Sequence, residues 1–364
     1  MDTVNSTRKV SLRDVAREVG VSVSAVSLAL RGSPKVSEQR RKNICEAAER
    51  LGYEKDGRIA ELMEHLRANR VDRQMSKLAV IIPEIDQVGL KSYPRLQKII
   101  RGVEEQAKES GYGTDLFFLT ELKASPKRLK TILISRGIKG VIALPWMSGI
   151  GALDLEVDGL CVATAGYSVI DPMLNRACPN YLQMMDELIE QACRLGYRRI
   201  GFAMTYSAGG IGHKLFASSY LYYSMLVDEA DRIPILRKRD IEDGKLQNWM
   251  ERYRPDAVIS SGKVYRMLEE LGYQLPEDLG FAALDLTDGP PDASGVDHCH
   301  ESVGREAAKL AMSDINLNQT GVPESPKVVL VDSHYQSGLT LRRVGKPIEL
   351  KIRASKYQDA NYVK

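Results

Sequence analysis

The chain has 364 residues, 43% hydrophobic and 27% charged, with a net charge of +3. That is enough chain for more than one globular domain, and no apolar run approaches the length that spans a bilayer. The charge is uneven: residues 1–77 carry 16 Lys and Arg against 11 Asp and Glu, and the remainder carries 35 against 37. A basic head on a near-neutral body points to a polyanion as the partner of the head. Five cysteines at no framework spacing (Cys45, Cys161, Cys178, Cys193 and Cys299) are expected to be reduced thiols. The stretch MDTVNSTRKV has no apolar run of the kind a secretory leader needs. A cytoplasmic protein is therefore expected, with no membrane partner.

The first predicted helix follows Ser11, a capping residue with Asp14 three positions on. Leu12, Val15, Ala16 and Val19 form one buried stripe, and Gly20 suits the left-handed position that ends it. Ser22 is placed to cap a second short helix with Val26 and Leu30 facing inward. After Gly32-Ser33-Pro34, Ser37 is placed to cap a third helix that buries Ile44, Ala47, Ala48 and Leu51 and stops at Gly52. Three short helices around one small core, the first two joined by a tight turn, form a helix-turn-helix unit. The second helix then presents Ser22, Ser24, Ala25, Ser27 and Leu28 outward. Small residues there permit close approach to a major groove about 12 Å wide. Hydroxyls of Ser22 and Ser27 suit phosphates, Ser24 suits a base edge, and Leu28 suits a thymine methyl group. Val23 stands three before Val26 and suits either the core or the groove.

Residues 54–69 have helix formers but no core stripe. From Leu78 onward short apolar runs alternate with amphipathic stretches. Strands are predicted at 78–83, 114–119, 140–144, 161–167, 199–204, 256–261, 279–285 and 327–333. Helices are predicted at 96–110, 181–195 and 302–317, among others. This alternation implies parallel sheets covered on both faces, and about 250 residues of it suit two lobes. Ligands in such sheets sit beyond the carboxyl ends of the strands. That rule nominates Asp86, Trp146, Tyr167 and Asp285, with the Trp146 indole suited to stacking on a sugar or a base. The polar tail from Gly345 is expected to be poorly ordered.

Two stretches resemble catalytic motifs and fail on spacing. In Asp297–Glu301, DHCHE, the histidines two apart share a face only on a strand, with Cys299 opposite, which is no standard zinc spacing. A strand leading into the last helix is the expected reading. In Gly209–Lys214, GGIGHK, Leu215 stands where a phosphate loop needs Ser or Thr. No catalytic residue, metal site or cofactor is expected, and the chain is not expected to be an enzyme.

The first residues of the chain resemble the LacI/GalR family of bacterial transcription regulators. The matching stretches are Ser11-Leu12-Arg13-Asp14-Val15-Ala16 and Gly20-Val21-Ser22-Val23-Ser24-Ala25-Val26-Ser27. Gly32, Val36-Ser37, Arg40-Arg41 and Leu51-Gly52-Tyr53 continue the pattern. The resemblance places Val23, Ser24 and Leu28 at base-reading positions, and Ser22, Ala25, Ser27, Arg31, Ser37 and Arg40 near phosphates. Leu28 stands where many members carry Arg or His, which implies A·T character at that operator step. The resemblance also implies a hinge helix in the minor groove, with Leu62 as its wedge and Asp56 and Ile59 nearby. Lys55-Asp56 replaces the usual Pro-Asn pair there.

More weakly, 195–202, 254–261 and 271–285 are similar to the family's effector-binding body. That body implies two periplasmic-binding-protein-like α/β lobes joined by three crossovers around a cleft. Asn180 falls where many members hold ligand hydroxyls with an aspartate, while Gly262-Lys263 replaces a common Asn-Asp pair.

The expected organisation is a helix-turn-helix domain (1–57), a hinge or linker (58–76), a two-lobed effector-binding and dimerisation domain (77–344) and a tail (345–364). The expected function is a homodimeric repressor that binds a pseudo-palindromic double-stranded operator DNA under control of a small molecule, with a sugar as the candidate class. Control by a protein partner or by no ligand is one alternative. A cytosolic solute-binding module or sugar-processing enzyme with a helical appendage is another.

Overall fold

The computed structural model describes residues 12–22, 25–26, 29–30, 36–51, 76–122, 125–205 and 211–349. The chain divides into two compact units, Met1–Arg73 and Gln74–Lys364.

In the first unit, helix α1 (Leu12–Val19) ends at Gly20, whose φ of +68° is open to glycine without strain. The Val21 N–H donates to the Ala16 carbonyl at 3.0 Å, which satisfies a carbonyl of the last turn. Ser22 Oγ accepts from the Ala25 N–H at 3.2 Å and caps the next turn. Val26 and Ala29 bury there against Val15, Ala16, Val36, Ile44 and Ala48. The last two belong to α2 (Glu38–Arg50), which also buries Ala47. Val19, Leu30 and Leu51 pack at the rim of this core. Ser37 precedes α2, but its side chain makes no capping hydrogen bond. That corrects the role expected from its position. The Ser37 carbonyl still accepts from the Arg41 N–H at 2.9 Å, so the helix starts on backbone bonds alone.

In the second unit, every predicted apolar run contains a strand. Six of its strands form one all-parallel sheet: β1 (Lys77–Ile82), β2 (Gly113–Phe118), β3 (Gly140–Ala143), β4 (Cys161–Ala165), β5 (Asn175–Pro179) and β10 (Val328–Val331). Their spatial order is β10-β5-β4-β3-β1-β2. A second sheet has the order β11-β9-β8-β7-β6, with β11 antiparallel to β9. Its members are β6 (Ile200–Phe202), β7 (Ala257–Ser260), β8 (Gly280–Ala283), β9 (Gly295–Asp297) and β11 (His334–Gln336).

The chain passes between the two lobes three times. It leaves β5 through Asn180 into α5 (Tyr181–Leu195). It returns from β9 through 298–299 into α9 (His300–Leu317), and crosses again at 332–333 between β10 and β11. Helix α9 therefore belongs to the first lobe, where Val303, Ala307, Ala308 and Ala311 pack on Leu96, Ile99, Ile100 and Val103 of α3 (Pro94–Glu109). The second lobe's core is built by α5 and α6 (Ile211–Leu226) around Tyr197, Phe202, Tyr220 and Ile259.

Residues 345–349 correct the expectation of an unordered tail from Gly345. The Ile348 N–H donates to the Cys193 carbonyl at 2.9 Å, and Ile348 packs on the second core. Residues 350–364 lie outside the described residues. All five cysteines are unpaired. Among the described residues, no helix is long and apolar enough to cross a membrane.

Helices α3 and α9 meet backbone to backbone through reciprocal glycines. A Cβ on Gly102 would overlap the Glu301 carbonyl, and one on Gly304 would overlap that of Ile99. Alanine in place of a helical glycine ordinarily stabilises by about 0.5–1 kcal/mol. Here overpacking reverses the sign. Gly102→Ala and Gly304→Ala are each expected to destabilise by about 1–3 kcal/mol in urea unfolding; a gain in stability from either would contradict the close approach.

Candidate DNA-binding unit and interlobe site

Of the residues expected to meet DNA, Ser22, Ala25, Ser37 and Arg40 are described. Ser22, Ser37 and Arg40 are exposed and Ala25 is half-buried. Val26 and Ala29 turn inward beside them and anchor this turn to the core. Val23, Ser24, Ser27, Leu28, Arg31, Asp56, Ile59 and Leu62 lie outside the described residues.

In the body, Asp285 stands two residues past the end of β8 and is only 2% exposed. Its Oδ1 accepts from the Thr287 N–H at 2.8 Å. Its Oδ2 faces three basic groups. Arg95 Nε, in the first turn of α3, lies 3.2 Å away. His300 Nε2 lies at 3.5 Å and His298 Nδ1 at 3.8 Å. Arg95 also pairs with Asp288. Asp285 belongs to the second lobe, whereas Arg95 and His300 belong to helices of the first. A buried carboxylate is thus compensated across the lobe boundary. Burial opposes its ionisation, but His298, His300 and Arg95 outweigh that and hold the carboxyl well below the usual carboxylate range.

The two histidines converge because of Cys299. With φ 52° and ψ 45°, that residue turns the chain between β9 and α9, and the two rings come within 5.3 Å centroid to centroid. The expected strand-to-helix passage is present. The expectation that the pair could share a side only on a strand is corrected, since one left-handed residue achieves the same result. His298 Nε2 donates to the Leu284 carbonyl at 2.6 Å. Burial, against the pull of Asp285, pushes this imidazole toward its neutral form.

An aromatic series continues from the histidines. Tyr181, at the start of α5, lies 5.6 Å from the His298 ring, 4.8 Å from Phe216 and 6.0 Å from Tyr167. Tyr167 follows β4 of the first lobe, and burial with the nearby Cys178 pushes its phenol up to about 12. The series therefore brings Tyr167 and Asp285 into one neighbourhood. The contacts of the other three nominated residues lie elsewhere. Asp86 Oδ1 accepts from the Gly89 N–H at 2.6 Å in an exposed turn. Trp146 donates its backbone N–H to Ser168 Oγ at 2.7 Å, and its indole lies against Gly151. Asn180 accepts from the Gln183 N–H at 3.4 Å and donates to Asp332 Oδ1 at 2.8 Å, joining the first and third crossovers. Arg95, Tyr181, Phe216, His298 and His300 were not nominated by position. The doublet of histidines was the one available signal.

Residues 11–56 match the profile described as "Bacterial regulatory proteins, lacI family". The HTH-type transcriptional regulator MalR of Streptomyces coelicolor is 24% identical over 199 residues, 53% of each chain. The chain thus spans about half the length of that curated relative. Among solved structures, the CelR–cellobiose complex is 20% identical with a TM-score of 0.51, covering 91% of this chain and 100% of that one. The lac repressor dimer bound to operator and the anti-inducer ONPF is 14% identical with a TM-score of 0.52, covering 92% and 99%. Likeness at these identities establishes the fold: an N-terminal helix-turn-helix domain followed by a two-lobed α/β body.

Acid stability follows from the Asp285 geometry. The folded carboxyl protonates at lower pH than the unfolded one, whose pKa is about 3.9. Its stabilising contribution is therefore complete above the unfolded value and is lost as pH falls through the folded one. The stability gap between the natural chain and Asp285→Asn is expected to hold steady above about pH 5 and to narrow progressively as pH falls below it in urea titrations; a gap that stays constant down to the lowest pH at which the chain remains folded would contradict the assignment.

Proposed function

We propose that this chain, whose N-terminal domain belongs to the lacI family of bacterial regulatory proteins, is a sequence-specific DNA-binding transcriptional repressor. It acts in the cytoplasm as a homodimer on a pseudo-palindromic operator and has no enzymatic role. The observation that carries this reading is the helix-turn-helix unit. Gly20 closes α1, Ser22 caps the following turn, and Val26 and Ala29 hold that turn to the core. Ser22 and Ala25 stay off that core, and with them Val23, Ser24, Ser27 and Leu28 are assigned by their sequence positions to a major groove. Arg31, Ser37 and Arg40 are assigned to phosphates. Leu62 is assigned as the minor-groove wedge, with Asp56 and Ile59 beside it.

The interlobe site around Asp285 and Tyr167 is assigned to an effector. Neighbours of this fold support both assignments: one is described as bound to operator and one as a cellobiose complex. A ligand that contacts both lobes favours one lobe arrangement over another, which is the physical requirement for allosteric control. Trp146 and Asp86 remain assigned to the effector side by their strand-end positions, and Asn180 by the family resemblance. The domain organisation proposed is 1–57, 58–76, 77–344 and 345–364, with the last segment packed on α5 as far as Ile348.

Selection from a random duplex pool is expected to return a two-fold related motif. Binding to that motif should fall with salt at a log–log slope of about −5 to −9, corresponding to roughly six to ten phosphate contacts. Ser24→Ala with Leu28→Ala should flatten the sequence preference, while Arg40→Ala should weaken binding to all duplexes alike. Equal affinity for every duplex in the pool would contradict the proposal.

A further inference from the structure

Three electron-rich atoms meet in the buried site between the lobes. His298 Nε2 donates to the Leu284 carbonyl at 2.6 Å, so the ring nitrogen it turns toward Asp285 Oδ2, at 3.8 Å, is Nδ1. His300 Nε2 stands 3.5 Å from the same oxygen. Neither ring nitrogen of His300 has a hydrogen-bond partner, although the residue is only 6% exposed. Two imidazoles turned toward one buried carboxylate oxygen are stable when a cation lies among them.

We propose that Asp285 Oδ2, His298 Nδ1 and His300 Nε2 form a binding site for a divalent first-row transition metal ion of the zinc class. The donor atoms all lie within 4.8 Å of one another. Bonds of about 2.0–2.2 Å in tetrahedral array place ligand atoms roughly 3.3–3.6 Å apart. The separations of 3.5 and 3.8 Å from Oδ2 lie at or near that spacing, and the two ring nitrogens lie within 4.8 Å of each other. Two imidazoles and one carboxylate suit zinc-like ions rather than magnesium or calcium, which take oxygen ligands. The outer contacts also fit: His298 is oriented by its bond to a backbone carbonyl and Asp285 by the Thr287 N–H. Three protein ligands leave a fourth position for water or a donor atom of a small molecule.

Arg95 supplies the compensating charge in this structure, and it has a second carboxylate, Asp288, to hold when an ion takes Asp285. The ion and the guanidinium therefore compete for one oxygen across the lobe boundary. The inference deepens the effector assignment and rests on it only in making the ion a signal; the binding is read without DNA.

The test uses the full chain, stripped with a chelator and titrated with zinc by calorimetry and with cobalt by visible absorption. One ion per chain is expected, with the intense bands of four-coordinate cobalt. His298→Gln and His300→Gln should each weaken binding at least about tenfold, while His334→Gln, an exposed histidine, should leave it unchanged. The cobalt spectrum of the natural chain keeps the test valid if either variant fails to fold. No stoichiometric binding up to about 100 μM zinc would overturn the proposal. Binding that persists in both folded variants would also overturn it. Operator preference, measured separately, would survive either failure, so the two readings fall independently.

Discussion

A carboxylate taken out of water must find positive charge or hydrogen-bond donors, and Asp285 finds them in the other lobe. Desolvating an ionised carboxylate costs several kcal/mol unless it is paired. Arg95 and His300 therefore hold the two lobes in register through a single oxygen atom. Much of the interlobe architecture follows. Pro94 starts α3 at its first helical position and fixes where Arg95 begins. Gly102 and Gly304 let α9 lie flush on α3, which fixes where His300 begins. The remaining crossovers are tied to each other by hydrogen bonds, Asn180 to Asp332 and Gln183 to Ser333.

The N-terminal unit works under the opposite constraint. Among the described residues its core is a handful of Val, Ala and Ile side chains with Val19, Val21, Leu30 and Leu51 packed against them, a small apolar volume. Its stability leans on local devices instead: the glycine closure after α1, the serine cap that follows, and the exposed Arg50–Glu18 pair at 2.8 Å between α1 and α2. A small domain that buries one side of each helix leaves the other side free. In the proposed function that spare side is the reading surface, while the body carries the signal.

The fold was largely legible in the sequence, because continuous apolar runs such as those of β1 and β7 admit few other readings. β5 escaped notice because Asn175, Arg176 and Pro179 do not read as a strand. Its polar groups are satisfied from elements far along the chain: Asn175 donates to Asp314 of α9 at 3.0 Å and accepts from the Lys327 N–H at 2.9 Å. The interlobe site was half legible. Strand-end logic reached Asp285 and Tyr167. It could not reach Arg95, whose partner lies far along the chain, and it discounted the histidines because periodicity alone does not foresee a left-handed residue at Cys299.

Arg95 and Asp285 face each other across the lobe boundary at 3.2 Å. A double-mutant cycle of Arg95→Met and Asp285→Asn, read by urea unfolding of the full chain at neutral pH, measures the coupling between them directly. A favourable interaction energy above about 1 kcal/mol is predicted. Simple additivity, within about 0.5 kcal/mol, would show that the two residues merely lie near one another and that the lobes are held by something else.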